Sequence, residues 1–315
     1  MRIATFEADG AERAGLVSED QVRPLPAEVT VRGLLERDAL PGAADLAGPP
    51  IPLDSVRLLP PLHPASIRDF VGFEAHIEGA ARAQEGKDAV PSRWYEAPAF
   101  YFTNPHACVG SGAPVPIFPG SERFDLECEV AVVIGKAGRD LTPEQAREHI
   151  AGYTIFNDWS ARDVQQLEGR LPFGFAKGKD GAHTLGPWLV TPDELEPYRT
   201  ADGYLDLTMT AEINGVVLGE DSLANCSWTF EEQISYASRG AWIRPGDVLA
   251  SGTHGGGCLA EIWGRAGRRE PRPLAPGDVV TLTVEGIGTV TNTVVEPGPA
   301  TPIPTARRRG RGPTH

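Results

Sequence analysis

The 315-residue chain predicts an α+β fold that is predominantly β, on three observations. Strand-like runs rich in β-branched residues dominate from Ser66 onward, among them ECEVAVVIG from Glu127, YLDLTMTAEING from Tyr204, DVLASGT from Asp247 and DVVTLTVEGIGTVTNTVV from Asp278. The 36 glycines and 29 prolines make up about a fifth of the chain, too many for a helical protein and too irregular for collagen. Capped helical signatures are few, and they read as a cover over a mostly β core.

Taken in order, MRIATFEADGAERAGLVSEDQVRPL reads as short strands, because IATFE and AGLVS are brief β-prone runs bounded by Asp, Gly and Glu. TVRGLLER, from Thr30, reads as one short helix. Between Leu40 and Pro64, PGAADLAGPPIPL and LLPPLHP are too rich in proline to supply a regular hydrogen-bond ladder, so the stretch is expected as an extended connector. A boundary there gives a small N-terminal domain with its connector at 1–62, a large domain at 63–297 and a basic tail at 298–315. Within the large domain, TPEQAREHI offers Thr142 as an N-cap before Pro143, and TFEEQISYASRG opens on Thr229 and closes on Gly240. The tail, with prolines and then arginines and no apolar periodicity, is expected to be disordered. No fixed-period repeat signals a solenoid or propeller.

Acidic residues outnumber basic ones by 43 to 29, giving a formal net charge of −14 that argues against nucleic acid and anionic lipid as partners. No apolar run approaches the roughly 20 residues that span a bilayer, and the first residues lack the pattern of a signal peptide, so a cytoplasmic protein is expected. Cys108, Cys128, Cys226 and Cys258 are scattered without zinc or redox spacing and read as reduced, small side chains.

The chemistry begins at Glu127 and Glu129, which strand periodicity sends to one face while Cys128 faces the other. An isolated E-x-E is most often a solvent-facing stripe, but the continuously apolar AVVIG that follows implies burial on both faces. Two ionised carboxylates side by side repel each other, and a divalent ion removes that penalty. A second run, GYTIFNDWSARDVQQ, carries Asp158 to the end of an apolar strand, where ligands are commonly displayed. Three oxygen ligands favour a hard cation, with Mg2+ first and Ca2+ or Mn2+ as alternatives.

NDWSARDVQ from Asn157, ECE at Glu127 to Glu129, and AKGKDGAHTLGPWLV from Ala176 together resemble the fumarylacetoacetate hydrolase family, over about Ser66 to Glu296. The resemblance implies a mixed β-sandwich roll with a small N-terminal α/β domain, a homodimer, and metal-dependent cleavage of a carbon–carbon bond in a keto or diketo acid. It implies Glu127, Glu129 and Asp158 as metal ligands and, from RDFVGFEAH, Asp69 as a fourth with His76 as the catalytic histidine. SGTHGGGCLAEIWG is similar to the segment that carries a substrate-contacting threonine, here Thr253, and a histidine-orienting glutamate, here Glu261. Arg162, Gln165 and Lys177 match the groups around the developing oxyanion, and Tyr101 matches a substrate-facing tyrosine. Val71 and Gly169 stand where the family's fumarylacetoacetate enzymes carry tyrosines, so the far end of the substrate pocket departs from theirs.

Read from the residues alone, Lys177 and Lys179 are each expected in an exposed loop, although the apolar flanks draw at least one of them inward. His254 is a reserve candidate beside Thr253, and Gly255 to Gly257 are expected to form a mobile loop that lets a substrate approach the backbone. The same metal-stabilised enolate without an attacking water would give isomerisation, decarboxylation or dehydration, and a non-catalytic scaffold is the reading from another class.

Overall fold

The computed structural model describes residues 1–83, 90–171 and 174–307. The fold is mixed α and β, with extended sheets and few helices: a 12-stranded sheet packs against a five-stranded one. Strand Cys128–Ile134 shows why the layers meet where they do, since all seven of its residues are buried. Its even-numbered residues, Cys128, Val130, Val132 and Ile134, share a core with Met209, Ala211, Leu282 and Val290 of the smaller sheet. Ala131 and Val133, on the opposite face, pack with Leu25, Val31 and Leu34 from the N-terminal segment. The apolar run is therefore covered twice, as parallel-sheet cores are, although its neighbours here are antiparallel.

The strands that position the site lie side by side. Cys128–Ile134 pairs with Ile150–Asp158 and with Val248–Ala250, and Val248–Ala250 runs parallel to Ile67–Phe70, which pairs with the edge strand Phe100–Thr103. In that register Asp69 lies opposite Ala250 on one side and Tyr101 on the other. The N-terminal strands join the same sheet, with Arg2 and Ile3 opposite Val190 and Leu189 of His183–Val190.

IATFE and AGLVS fall in strands Arg2–Ala8 and Ala11–Ser18, and Thr30 caps helix Val31–Glu36 through the Gly33 N–H. The proline-dense connector is a correction. Ile51–Pro52 pairs with Gln21 and Val22, and Arg57–Leu59 forms a ladder on the first strand, because the prolines flank these short pairings instead of interrupting them. TPEQAREHI shortens to one helical turn, Pro143–Ala146, running into a tight turn at Arg147–His149. Phe230–Ser238 is capped at Thr229, whose hydroxyl accepts from the Glu232 N–H while Glu232 reaches back, and the chain turns at Gly240 with φ of +67°. Three further helices, Glu74–Ala83, Arg162–Glu168 and Leu259–Ala266, were not singled out by their pattern. All four cysteines are free thiols. Residues 298–307 are exposed and carry no regular secondary structure, and the rest of the basic tail lies outside the described residues. Among the described residues no helix is long and apolar enough to cross a membrane.

Candidate active site

Asp69, Glu127 and Glu129 converge where the central strands meet, each buried, with one carboxylate oxygen apiece lying within 4.8 Å of the others. Glu127 sits just ahead of its strand and is aimed by its N–H, which donates to Asn157 Oδ1 at 2.9 Å. Glu129 accepts from the Gly252 N–H at 2.9 Å and from the Thr253 hydroxyl at 3.3 Å. Asp69 accepts from the Tyr101 hydroxyl at 2.7 Å through Oδ2, and among the described residues its buried Oδ1 has no hydrogen-bond partner. The same tyrosine hydroxyl also donates to Asp158.

Asp158 enters this group differently from the other three. Its Oδ2 lies 2.8 Å from Lys179 Nζ and its Oδ1 2.9 Å from His183 Nδ1, so charged or polar side chains already surround it. His183 is opposite Asp158 in the strand register, stacks on Phe156, and reaches Thr103 through its other nitrogen at 2.9 Å. Lys179 is 2% exposed and also lies 2.7 Å from Glu127.

Lys177, the lysine expected here, is the correction: its side chain is 62% exposed and pairs with Asp180 on the surface. The tight turn Lys177–Lys179 sends the two lysines in different directions, and only Lys179 is drawn inward.

Arg162 opens helix Arg162–Glu168 and bridges two carboxylates, Asp125 through Nε at 2.7 Å and Glu127 through Nη2 at 2.6 Å. Gln165, one turn on, accepts from Arg162 Nη1 at 3.1 Å. Asp125 is a residue the sequence reading missed. Besides holding Arg162, it accepts the N–H groups of Leu259 and Ala260 and so caps helix Leu259–Ala266, whose own N-cap, Cys258, makes no side-chain cap. The signal was present, since Asp125, Glu127 and Glu129 continue one period of two in FDLECE.

That capped helix carries Glu261, fully buried, with Oε2 3.6 Å from His76 Nδ1. Glu261 is held by the Gly256 N–H at 2.9 Å and by Arg265 at 2.7 Å. The glycine run is therefore a pinned loop where a mobile one was expected: Gly256 holds Glu261, the Gly255 N–H donates to Asp221, and the Gly257 carbonyl accepts from the Cys128 N–H. His254 is buried with Nδ1 2.9 Å from the Gly255 carbonyl oxygen, and burial holds its pKa below the usual histidine value.

Around the cluster stand five buried carboxylates, Asp69, Asp125, Glu127, Glu129 and Asp158, against two cations, Arg162 and Lys179. Burial, and then Asp158, holds Asp69 protonated well above the usual carboxylate range, and burial, then Asp69 and Glu127, does the same to Glu129. Burial also works against Glu127, but Lys179 and Arg162 outweigh it and bring that carboxyl down to about 2. Burial likewise opposes ionisation of Asp158, and Lys179 with His183 brings it below its ordinary value. When Asp69 and Glu129 ionise, theirs is the charge left uncompensated, and Oδ1 of Asp69 is unpartnered among the described residues. An all-oxygen group of this kind fits a hard divalent cation: Asp69, Glu127 and Glu129 bring one oxygen each within 4.8 Å of the others. Asp158, the fourth expected ligand, is joined to Asp69 through the Tyr101 hydroxyl, and its Oδ1, though close to His183, likewise has no hydrogen-bond partner among the described residues.

The cluster opens onto a cleft of about 900 Å3 lined by His76, Tyr101, Arg162, Gln165, Lys179 and Thr253. Val71 and Gly169 line it too, so the two positions without tyrosine leave space in its wall.

A cleft that reaches buried Glu127 and carries His76 in its wall, with Glu261 behind it, is the equipment of an enzyme. The chain belongs to the fumarylacetoacetate hydrolase family: the family described as fumarylacetoacetate (FAA) hydrolase C-terminal matches residues 66–295, and Rv2993c-like, N-terminal matches residues 1–61. Protein Rv2993c of Mycobacterium tuberculosis is 30% identical over 277 residues, covering 87% of this chain and 91% of that one. Maleylpyruvate hydrolase of Aquipseudomonas alcaligenes is 30% identical over 247 residues, covering 77% of each. Among solved structures, a fumarylacetoacetate hydrolase from Exiguobacterium antarcticum superposes with a TM-score of 0.75 at 29% identity, covering 94% of this chain and 99% of that one.

Proposed function

We propose that this protein is a divalent-cation-dependent hydrolase that cleaves a carbon–carbon bond in a β-diketo acid of the acylpyruvate or fumarylacetoacetate kind, acting as a homodimer with Mg2+ as the native ion. The observation that carries the reading is the His76–Glu261 pair standing at the cleft wall beside the Asp69, Glu127 and Glu129 group. The hydrolase names of relatives at this level of identity support it.

A cation held by the three carboxylates would supply Lewis-acid polarisation of the substrate's keto oxygens. His76 takes a proton from water; with its Nδ1 turned to Glu261 and Cys258, Nε2 is the nitrogen that accepts it. Glu261 steadies the imidazolium that results, as general-base pairs do for a typical gain of roughly 100- to 10,000-fold. Attack on the carbonyl develops an oxyanion facing Lys179, Arg162 and Gln165, where loss of one donor typically costs about 3 to 4 kcal/mol of barrier. Its collapse breaks the carbon–carbon bond, the electron pair leaves on the keto-acid fragment as an enolate, and the proton taken up by His76 returns to that carbon. Tyr101 and Thr253, each hydrogen-bonded to a carboxylate of the group, fix those carboxylates and meet the substrate from the cleft side.

The test is to incubate the protein with Mg2+ and a panel of acylpyruvates, diketo acids and oxaloacetate in H2 18O, with products followed by mass spectrometry. Cleavage with one solvent oxygen in the acid product supports hydrolysis. Carbon dioxide release, or rearrangement without label, moves the assignment to decarboxylation or isomerisation, and no turnover by the wild type favours the scaffold. His76→Ala is expected to abolish hydrolysis while divalent-cation binding stays measurable by calorimetry; full activity in that variant removes His76 from the mechanism.

A further inference from the structure

Glu127 also belongs to another group of donors. Cys258 is fully buried, and among the described residues its hydrogen-bond partner is His76 Nδ1, 3.6 Å from Sγ. One ligand atom from each of His76, Cys258 and Glu127 lies within 4.8 Å of the other two. The sulfur–nitrogen separation is the one a single tetrahedral zinc imposes: with Zn–S of about 2.3 Å and Zn–N of about 2.05 Å, two ligands stand roughly 3.6 Å apart. A thiolate and an imidazole also make a softer donor set than three carboxylates, and so select a different ion.

We propose that His76, Cys258 and Glu127 form a second cation site, selective for a thiophilic divalent ion such as zinc, which when filled withdraws His76 from chemistry. Glu127 belongs to both groups and is the side chain able to span them. On binding, the Cys258 thiol gives up its proton to solvent as the metal–sulfur bond forms, and His76 and Glu127, which both line the cleft, leave a fourth position for water. Glu261 tolerates the loss of His76 as a neighbour, because the Gly256 N–H and Arg265 continue to hold its carboxylate. The loss of turnover rests on His76 acting as the base, whereas the binding readouts do not.

The experiment uses full-length protein in saturating Mg2+, titrated with Zn2+ against a chromophoric chelator and separately with Co2+. Expected are a thiolate-to-cobalt charge-transfer band in the near ultraviolet and Zn2+ binding at least tenfold tighter in the wild type than in Cys258→Ser. The band is lost in Cys258→Ser and in His76→Ala, while the Mg2+ dependence of thermal stability in Cys258→Ser matches the wild type. Equal Zn2+ affinity in wild type and Cys258→Ser overturns the proposal, as does a band that persists without Cys258. Should Cys258→Ser not fold, Cys258→Ala takes its place, and absence of the band from the wild type is by itself sufficient to overturn it. Inhibition by Zn2+ that is unaltered by Cys258→Ser also counts against it, since the inhibitory ion then sits elsewhere.

Discussion

At the scale of single residues, a period of two was enough to bring Glu127 and Glu129 to one face, and the apolar run behind them was enough to place that face inside. What the sequence could not show is which nearby charges balance them. Lys179 and Lys177 have the same local composition, and the choice between them is made by a tight turn that leaves one 2% exposed and the other 62% exposed. His183 gave no signal either, because its role comes from a strand register that sets it opposite Asp158. Lys179→Met is therefore expected to lower kcat at least 100-fold, in line with loss of an oxyanion donor and of the charge beside Glu127 and Asp158, while Lys177→Met stays within about twofold of wild type. Steady-state kinetics on the two variants checks this, and the reverse order would return the role to Lys177.

The carboxylates also make a pH prediction at this scale. Asp69 and Glu129 have raised folded-state pKa values, so their contribution to stability is complete below the ordinary carboxylate value of about 4 and is lost as pH rises through the raised values. Glu127 has the opposite sign, contributing above its ordinary value and losing that contribution as pH falls toward about 2. Above the ordinary carboxylate value the first pair governs. A divalent cation offsets their repulsion, so the rise in Tm on adding Mg2+ is expected to be larger at pH 8 than at pH 5, by on the order of 3 °C. Differential scanning fluorimetry at the two pH values measures it, and an equal or smaller rise at pH 8 contradicts the assignment of charge to Asp69 and Glu129.

At the scale of elements, the helices that stand out in the sequence are the capped ones, and these cover the core. The helices that carry the site are marked less clearly. Leu259–Ala266 has no capping side chain of its own and takes Asp125, more than 130 residues away, in its place. Glu74–Ala83, which bears His76, packs across it at Gly79, where a Cβ would stand 2.3 Å from Glu261 Cγ. Glycine is required there by close approach, even though in a helix interior it costs about 0.5 to 1 kcal/mol relative to alanine. Gly79→Ala is thus expected to lower kcat at least tenfold by displacing Glu261 from His76, without the thermal stabilisation that helix propensity alone would give. A variant with full kcat and a raised Tm would show that the two helices can separate without cost to the His76–Glu261 pair.

At the scale of the whole molecule, the predominantly β architecture was legible because β-branched runs and turn residues are local signals. The zippering of the proline-dense connector onto the first strand was not, because pairing between Arg57–Leu59 and Thr5–Glu7 is a long-range choice. The same sheet has a further consequence at its other edge. Phe100–Thr103 ends the strand order, and its Phe102 is 62% exposed, next to Arg68, whose guanidinium lies 5.2 Å from the ring. Arg68 also reaches the backbone carbonyl of Trp242, a residue 53% exposed, so one arginine contacts two residues with exposed aromatic side chains near a strand edge that has no further partner among the described residues. The proposed homodimer would bury both exposed aromatics and the edge with a second copy of the chain on this face. Sedimentation equilibrium is expected to give twice the 33.7 kDa chain mass for the wild type. The double variant Phe102→Glu, Trp242→Glu is expected to give the monomer mass with its circular dichroism unchanged. A wild type that sediments as a monomer rejects the homodimer, and a double variant that remains dimeric moves the interface to another face.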